Sequence, residues 1–160
     1  MKDQITLQRI ELLHPKVKGE VKAIYDEICA ALTGTAFCRF AYTLRTFKEQ
    51  NDLYAKGRTI GGSKVTNAKG GESCHNYGLA VDIVLIDHGR AVWERGQDFD
   101  GDKIPDWMEV VKIFEKYGWF WGGNFKSFKD YPHFEKSFGF SASQLKAKWE
   151  TQGKPTYVKL

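Results

Sequence analysis

Cysteine is scarce in this chain. Cys29, Cys38 and Cys74 are odd in number and form no Cys-x-x-Cys pair, which argues against both a disulfide scaffold and a cysteine-rich metal site. Long apolar runs are also missing, and no stretch approaches the ~20 residues of a membrane-spanning helix. The first residues interleave Asp3, Arg9 and Glu11 with apolar side chains, so the uninterrupted apolar segment of a secretory signal is absent. The expectation is synthesis in a cytoplasm with no membrane insertion. A concentrated basic run is lacking too: the formal charge is only +4, and the lysines are neither clustered nor interleaved with stacking aromatics, which speaks against nucleic acid. What remains is ordinary. With 160 residues, 42% hydrophobic and 28% charged, the composition is that of a soluble globular protein, and residues 1–160 are read as one domain working as a monomer.

Apolar residues recur at helical spacing in Val17, Val21, Ile24, Ile28 and Leu32, predicting a packing helix over 16–32 that stops before Gly34. An aromatic-rich strand follows at 37–44, then a helix capped by Thr46 and running toward Gly57, so that Arg45 falls at a strand-to-helix junction. Residues 57–71 carry paired glycines and no periodicity, the mark of a long functional loop. A strand at 79–86, a turn at 87–90 and a return strand through Val92 come next. A helix over 107–117 ends at Gly118, short strands stand at 119–121 and 133–135, and Ser141 caps a last helix through Trp149. The tail, 153–160, is expected to be loosely held. Helices and short strands without a βαβ repeat give an α+β fold, a short antiparallel sheet flanked by helices. The aromatics Trp119, Phe120, Trp121, Phe125 and Phe128 are assigned mainly to the core.

The segment Ser73-Cys74-His75-Asn76-Tyr77-Gly78-Leu79-Ala80-Val81-Asp82 contains an anomaly: Asp82 lies inside a strand whose two faces are otherwise apolar. A carboxylate there needs a metal, a cation or several donors, because an unpaired buried charge is costly. A second cluster, Asp130-Tyr131-Pro132-His133-Phe134-Glu135, puts a histidine at the start of a short strand with a carboxylate just before it. Two imidazoles and one carboxylate are a common catalytic zinc set that leaves a position for water, and Asp130 is the candidate base for that water. Singly, each histidine reads as an ordinary hydrogen-bonded side chain and Asp130 as a turn residue. Ser73 and Glu135 are candidates for orienting the ligands.

Taken together, Ser-x-His-x-x-Gly-x-Ala-x-Asp followed by Asp-x-x-His resembles the zinc D,D-carboxypeptidase and L-alanyl-D-glutamate peptidase family. Thr43-Leu44-Arg45-Thr46 with Gln50, Val65-Thr66-Asn67-Ala68, and Gly118-Trp119-Phe120-Trp121-Gly122-Gly123 look like further blocks of that family in the same order. The resemblance implies a D,D-peptidase/hedgehog-like domain in which His75, Asp82 and His133 hold zinc. It makes Asp130 the base, and Arg45 the group that polarises the scissile carbonyl. It further implies a hydrolase, a metallopeptidase acting on the stem peptides of bacterial peptidoglycan. The D-alanyl-D-alanine branch usually carries glutamate at the base position, whereas phage endolysin-type, bacteriolytic enzymes carry aspartate, which favours the L-Ala-D-Glu bond. A D-Ala-D-Ala carboxypeptidase and a non-catalytic, zinc-retaining wall-binding module are the alternatives. A thiol peptidase with Cys74 as nucleophile is a third, disfavoured because adjacent side chains on a strand point apart.

A last constellation stands apart from the resemblance. Within 98–109, Asp98, Asp100, Asp102, Asp106 and Glu109 fall at the first, third, fifth, ninth and twelfth positions of an EF-hand loop, with Ile104 offering its carbonyl at the seventh. Lys103 stands where glycine is normally required and no helix precedes, so the pattern predicts an unpaired EF-like calcium loop. The plainer reading is an acidic turn whose Asp106 and Glu109 favour a helix N-terminus.

Overall fold

The computed structural model, which describes residues 2–160, begins with a helix the periodicity does not anticipate, α1 (Gln4–Ile10). It is too short to be stable alone. Asp3 caps it by accepting the Thr6 N–H at 3.1 Å, and that carboxylate is gripped in turn by the Arg39 guanidinium at 2.8 and 3.0 Å from a distant strand. Pro15 then opens α2 (Pro15–Ala31), whose Val17, Val21, Ile24, Tyr25 and Ile28 are buried as one stripe.

Strand β1 (Ala36–Tyr42) alternates buried and half-buried residues and leads through Arg45 into α3 (Phe47–Ala55), where Thr46 and Glu49 form a reciprocal capping box. After the long loop and a tight 3₁₀ turn, Cys74–Tyr77, comes β2 (Ala80–Asp87), the central strand. It pairs antiparallel with β1 along one edge. The other edge is shared by β3 (Arg90–Val92), opposite residues 85–87, and by a strand near the C-terminus opposite residues 80–82. The β2–β3 turn places His88 and Gly89 at φ 47° and 78°, the two positive values that the strand twist demands of a two-residue hairpin.

Helix α4 (Asp106–Lys116) is followed by β4 (Phe120–Trp121), a short 3₁₀ turn Gly122–Asn124, β5 (His133–Glu135) and α5 (Ala142–Thr151). The open antiparallel sheet runs β1-β2-β5-β4 with β3 beside β2, and α2 and α4 pack together and against it. Phe114 of α4 is the hub of the core, stacked on Phe134 at 4.2 Å between centroids and meeting Trp119 edge-on at 5.5 Å.

Two expectations are corrected. The tail is not loose: Val158 is buried, its carbonyl lies 2.6 Å from His14 Nε2, and the Tyr157 hydroxyl donates to the Leu12 carbonyl. Those anchors, Leu12 and His14, stand between α1 and α2, far away in sequence. The aromatic group divides as well, for Trp119 and Trp121 are buried while Phe120 and Phe128 are exposed.

Candidate active site

His75 sits in the 3₁₀ turn just before β2. Ser73 caps that turn by accepting the His75 N–H at 3.2 Å, which is the role the structure gives Ser73. Gly78 ends it at φ 68°, with the position a Cβ would take only 2.6 Å from the His14 nitrogen, so no side chain fits there. Asp82 and His133 are directly opposite one another in the β2–β5 ladder, and cross-strand pairing therefore delivers two of the three groups to one spot. One ligand atom from each of His75, Asp82 and His133 lies within 4.8 Å of the others, close enough to hold a single ion.

The tautomers suit a metal. The Thr43 carbonyl lies 2.7 Å from His75 Nδ1 and accepts a hydrogen bond from its N–H, leaving Nε2 buried with a free lone pair and no hydrogen-bond donor. That nitrogen is 3.1 Å from Asp82 Oδ1. Glu135 Oε1 lies 2.8 Å from His133 Nε2, which turns His133 Nδ1 toward the same Asp82 oxygen at 3.1 Å. Burial alone would raise Asp82, but the two imidazoles beside it hold it well below the usual carboxylate range. Burial would likewise lower His133, yet its hydrogen bonds to Asp82 and Glu135 prevail and push it up to about 10. The pocket demands positive charge between the rings. Asp82 lies 3.7 Å from the Arg45 guanidinium, whose charge also acts on Asp130, and a divalent cation between the rings would take the place of the proton on His133.

Arg45 is buried beside this group, 3.7 Å from Asp82 Oδ2, with one guanidinium nitrogen held by Gln50 and its Nε without a partner. Gln50 also binds the Ala68 carbonyl at 2.8 Å, tying the long loop to α3. Asn76 braces the other side by donating to the Arg45 carbonyl at 2.9 Å. The sequence reading assigns no role to Thr43, whose contribution is a main-chain carbonyl, or to Asn76. Only the second carried a signal, its place inside the histidine motif.

Asp130 lies on the rim, in a loop held by a main-chain bond from its N–H to the Gly122 carbonyl at 3.0 Å. Gly122 is required there, because a Cβ would come within 2.1 Å of the Asp130 carbonyl oxygen. Desolvation by surrounding protein, and next the charge of Asp82, raise the Asp130 carboxyl above its ordinary range, while His133, His75 and Arg45 pull the other way. His75, Asp82, His133, Asp130 and Arg45 line one cleft of about 410 Å³.

Cys74 is no nucleophile. Its thiol turns to Glu135 at 3.3 Å, and burial first, then the Glu135 charge, raise it far above the range in which a thiolate forms. The acidic loop lies apart from the cleft, before and within the first turn of α4. Burial and four neighbouring carboxylates push Glu109 there up to about 7. Among the described residues no helix is long and apolar enough to cross a membrane.

Comparison with known proteins identifies relatives of the chain. A family model described as D-alanyl-D-alanine carboxypeptidase matches residues 66–136, the stretch that holds His75, Asp82, Asp130 and His133. Over 124 residues, 77% of this chain and 72% of the relative, the chain is 45% identical to the peptidoglycan L-alanyl-D-glutamate endopeptidase CwlK of Bacillus subtilis (strain 168). Among solved structures it is similar to the L-Ala D-Glu endopeptidase ChiX of Serratia marcescens, with a TM-score of 0.55 at 23% identity over 84% of this chain and 88% of that one, a likeness of fold. The chain belongs to the D,D-carboxypeptidase and L-alanyl-D-glutamate endopeptidase family and is a peptidase.

Proposed function

We propose that this protein is a zinc-dependent endopeptidase of bacterial peptidoglycan that cuts the stem peptide between L-alanine and D-glutamate. Zinc suits a donor set of two imidazole nitrogens and one carboxylate, with each ring oriented by a further hydrogen bond, His75 to the Thr43 carbonyl and His133 to Glu135. When bound, it would supply a Lewis acid and an activated water for attack on the peptide carbonyl. The chain's own groups do the rest. His75 Nε2, Asp82 and His133 Nδ1 hold the ion. Asp130 accepts the proton of the attacking water and returns it to the leaving amine. The Arg45 guanidinium, desolvated and with a free Nε, faces the oxygen on which charge develops.

The observation that carries the endopeptidase reading is the 45% identity over 124 residues to an L-alanyl-D-glutamate endopeptidase, and further depressions adjoin the cleft. One depression runs past Asp130 along Lys64, Asn67, Phe128 and Lys129, and another runs past Arg45 along Glu49, Asp52 and Lys56. A stem peptide therefore has surface to lie against beyond the scissile bond. Lys56, Lys64 and Lys129 suit the carboxylates of an acidic stem peptide. Aspartate at position 130 and the relationship to CwlK favour the same bond.

The test is product analysis. Purified peptidoglycan digested with the zinc-loaded protein should yield new peptides with N-terminal D-glutamate and free L-alanyl ends on the glycan side, identified by mass spectrometry and end-group labelling. Release of free D-alanine without new N-terminal D-glutamate would make the protein a D-Ala-D-Ala carboxypeptidase. Binding to the wall with no cleavage would make it a wall-binding module.

A further inference from the structure

The acidic loop before α4 does not line the cleft, yet its side chains converge. Asp98, Asp100 and Asp106 bring one oxygen each to within 4.8 Å of one another, and Asp100, Asp102 and Glu109 do the same. The loop's own N–H groups fold it into this shape: Gly101 and Lys103 donate to the two oxygens of Asp98 at 2.7 and 2.9 Å, and Ile104 donates to Asp102 at 2.7 Å. Lys103 adopts φ 76°, so the chain makes the turn normally given to glycine despite its side chain.

Convergence of acids is not by itself a site. The independent observation is an unsatisfied buried oxygen. Asp106 is 0% exposed; its Oδ1 accepts the Phe99 N–H at 2.9 Å, while its Oδ2 has no hydrogen-bond partner. Glu109 Oε2, one helical turn along, is likewise buried and without a partner. None of the ion pairs among the described residues involves these five carboxylates. Buried carboxylate oxygens that face other carboxylates, with neither donor nor cation, lack the counter-charge such a group requires.

We propose that residues 98–109 bind a calcium ion through the carboxylates of Asp98, Asp100, Asp102, Asp106 and Glu109 and the carbonyl of Ile104. All the donors are hard oxygens, and they are more numerous than magnesium takes from protein; no imidazole or thiol is present to draw zinc. The ion fastens the first turn of α4, because Asp106 and Glu109 belong to that helix. Helix α4 carries Phe114, stacked on Phe134, the residue next to His133. Calcium therefore stabilises the folded domain from a point that the core links to the cleft.

The experiment uses full-length protein cleared of calcium over a chelating resin, with zinc held equal in every sample. Calorimetric titration with calcium chloride should find one site per chain, and the melting midpoint should rise by roughly 5–10 °C at a hundredfold excess over the dissociation constant. Glu109→Gln, and separately Asp98→Asn with Asp100→Asn, should abolish the rise. Without calcium these variants should melt at or above the wild-type midpoint, since each removes a mutually repelling charge, and that result separates lost binding from a damaged fold. No binding heat and an unchanged midpoint at millimolar calcium would overturn the proposal. So would an equal rise with magnesium at the same concentration, which would be charge screening only.

Discussion

Asp130→Asn should retain one zinc per chain and lose ~10²–10⁴-fold in turnover, the usual worth of a positioned general base. Asparagine matches aspartate in shape but accepts no proton, and the three metal-holding groups lie elsewhere. The rim loop should keep its place, because the bonds that hold it, Asp130 N–H to the Gly122 carbonyl and His133 N–H to the Asp130 carbonyl, are main-chain at 3.0 and 3.2 Å. Stability should not fall. Asp130 is exposed at the rim and the substitution keeps its shape, so no packing is lost. Elemental analysis, a melting curve and steady-state kinetics on peptidoglycan fragments together decide the matter. A variant with wild-type zinc content and turnover within about tenfold of wild type would remove Asp130 from the chemistry.

Removing the metal should have a still larger effect. Dialysis against a strong chelator should abolish activity, by ~10³-fold or more if the ion contributes the several kcal/mol expected of a Lewis acid, and stoichiometric zinc should restore it. His133→Ala should prevent that restoration, because it leaves Asp82 with one imidazole and Glu135 with none. Glu135→Gln is the graded case. It keeps all three ligands but weakens the hydrogen bond that turns His133 Nδ1 toward the ion, and zinc affinity should fall 10–100-fold while saturating zinc recovers much of the rate. Full activity in metal-free wild-type protein, with zinc absent by elemental analysis, would defeat the metal reading.

Much of this was legible in the chain itself, and the reason differs from element to element. Val17 to Ile28 announce α2 by their spacing because a helix packed on one side must repeat its apolar residues every 3.6 positions. The Thr46 capping box marks the start of α3 since it is made within four residues. Asp82 stood out because a charge in an apolar strand is costly wherever the strand lies. What local pattern could not reveal depends on residues far apart in sequence. Helix α1 stands because Arg39 grips its cap, and the tail is held because Tyr157 and Val158 reach residues 12 and 14. Neither partnership leaves a mark in the short segment it stabilises.

The same division runs through the site. The sequence alone determined which side chains could carry chemistry, because His75, Asp82, Asp130 and His133 announce themselves by residue type and spacing. Only the tertiary structure decided that they meet. The β2–β5 register sets Asp82 against His133, the Thr43 carbonyl selects the His75 nitrogen that stays free, and Glu135 aims the other ring. Register and tautomer are set by hydrogen bonds between strands and loops distant in sequence, so no local motif encodes them.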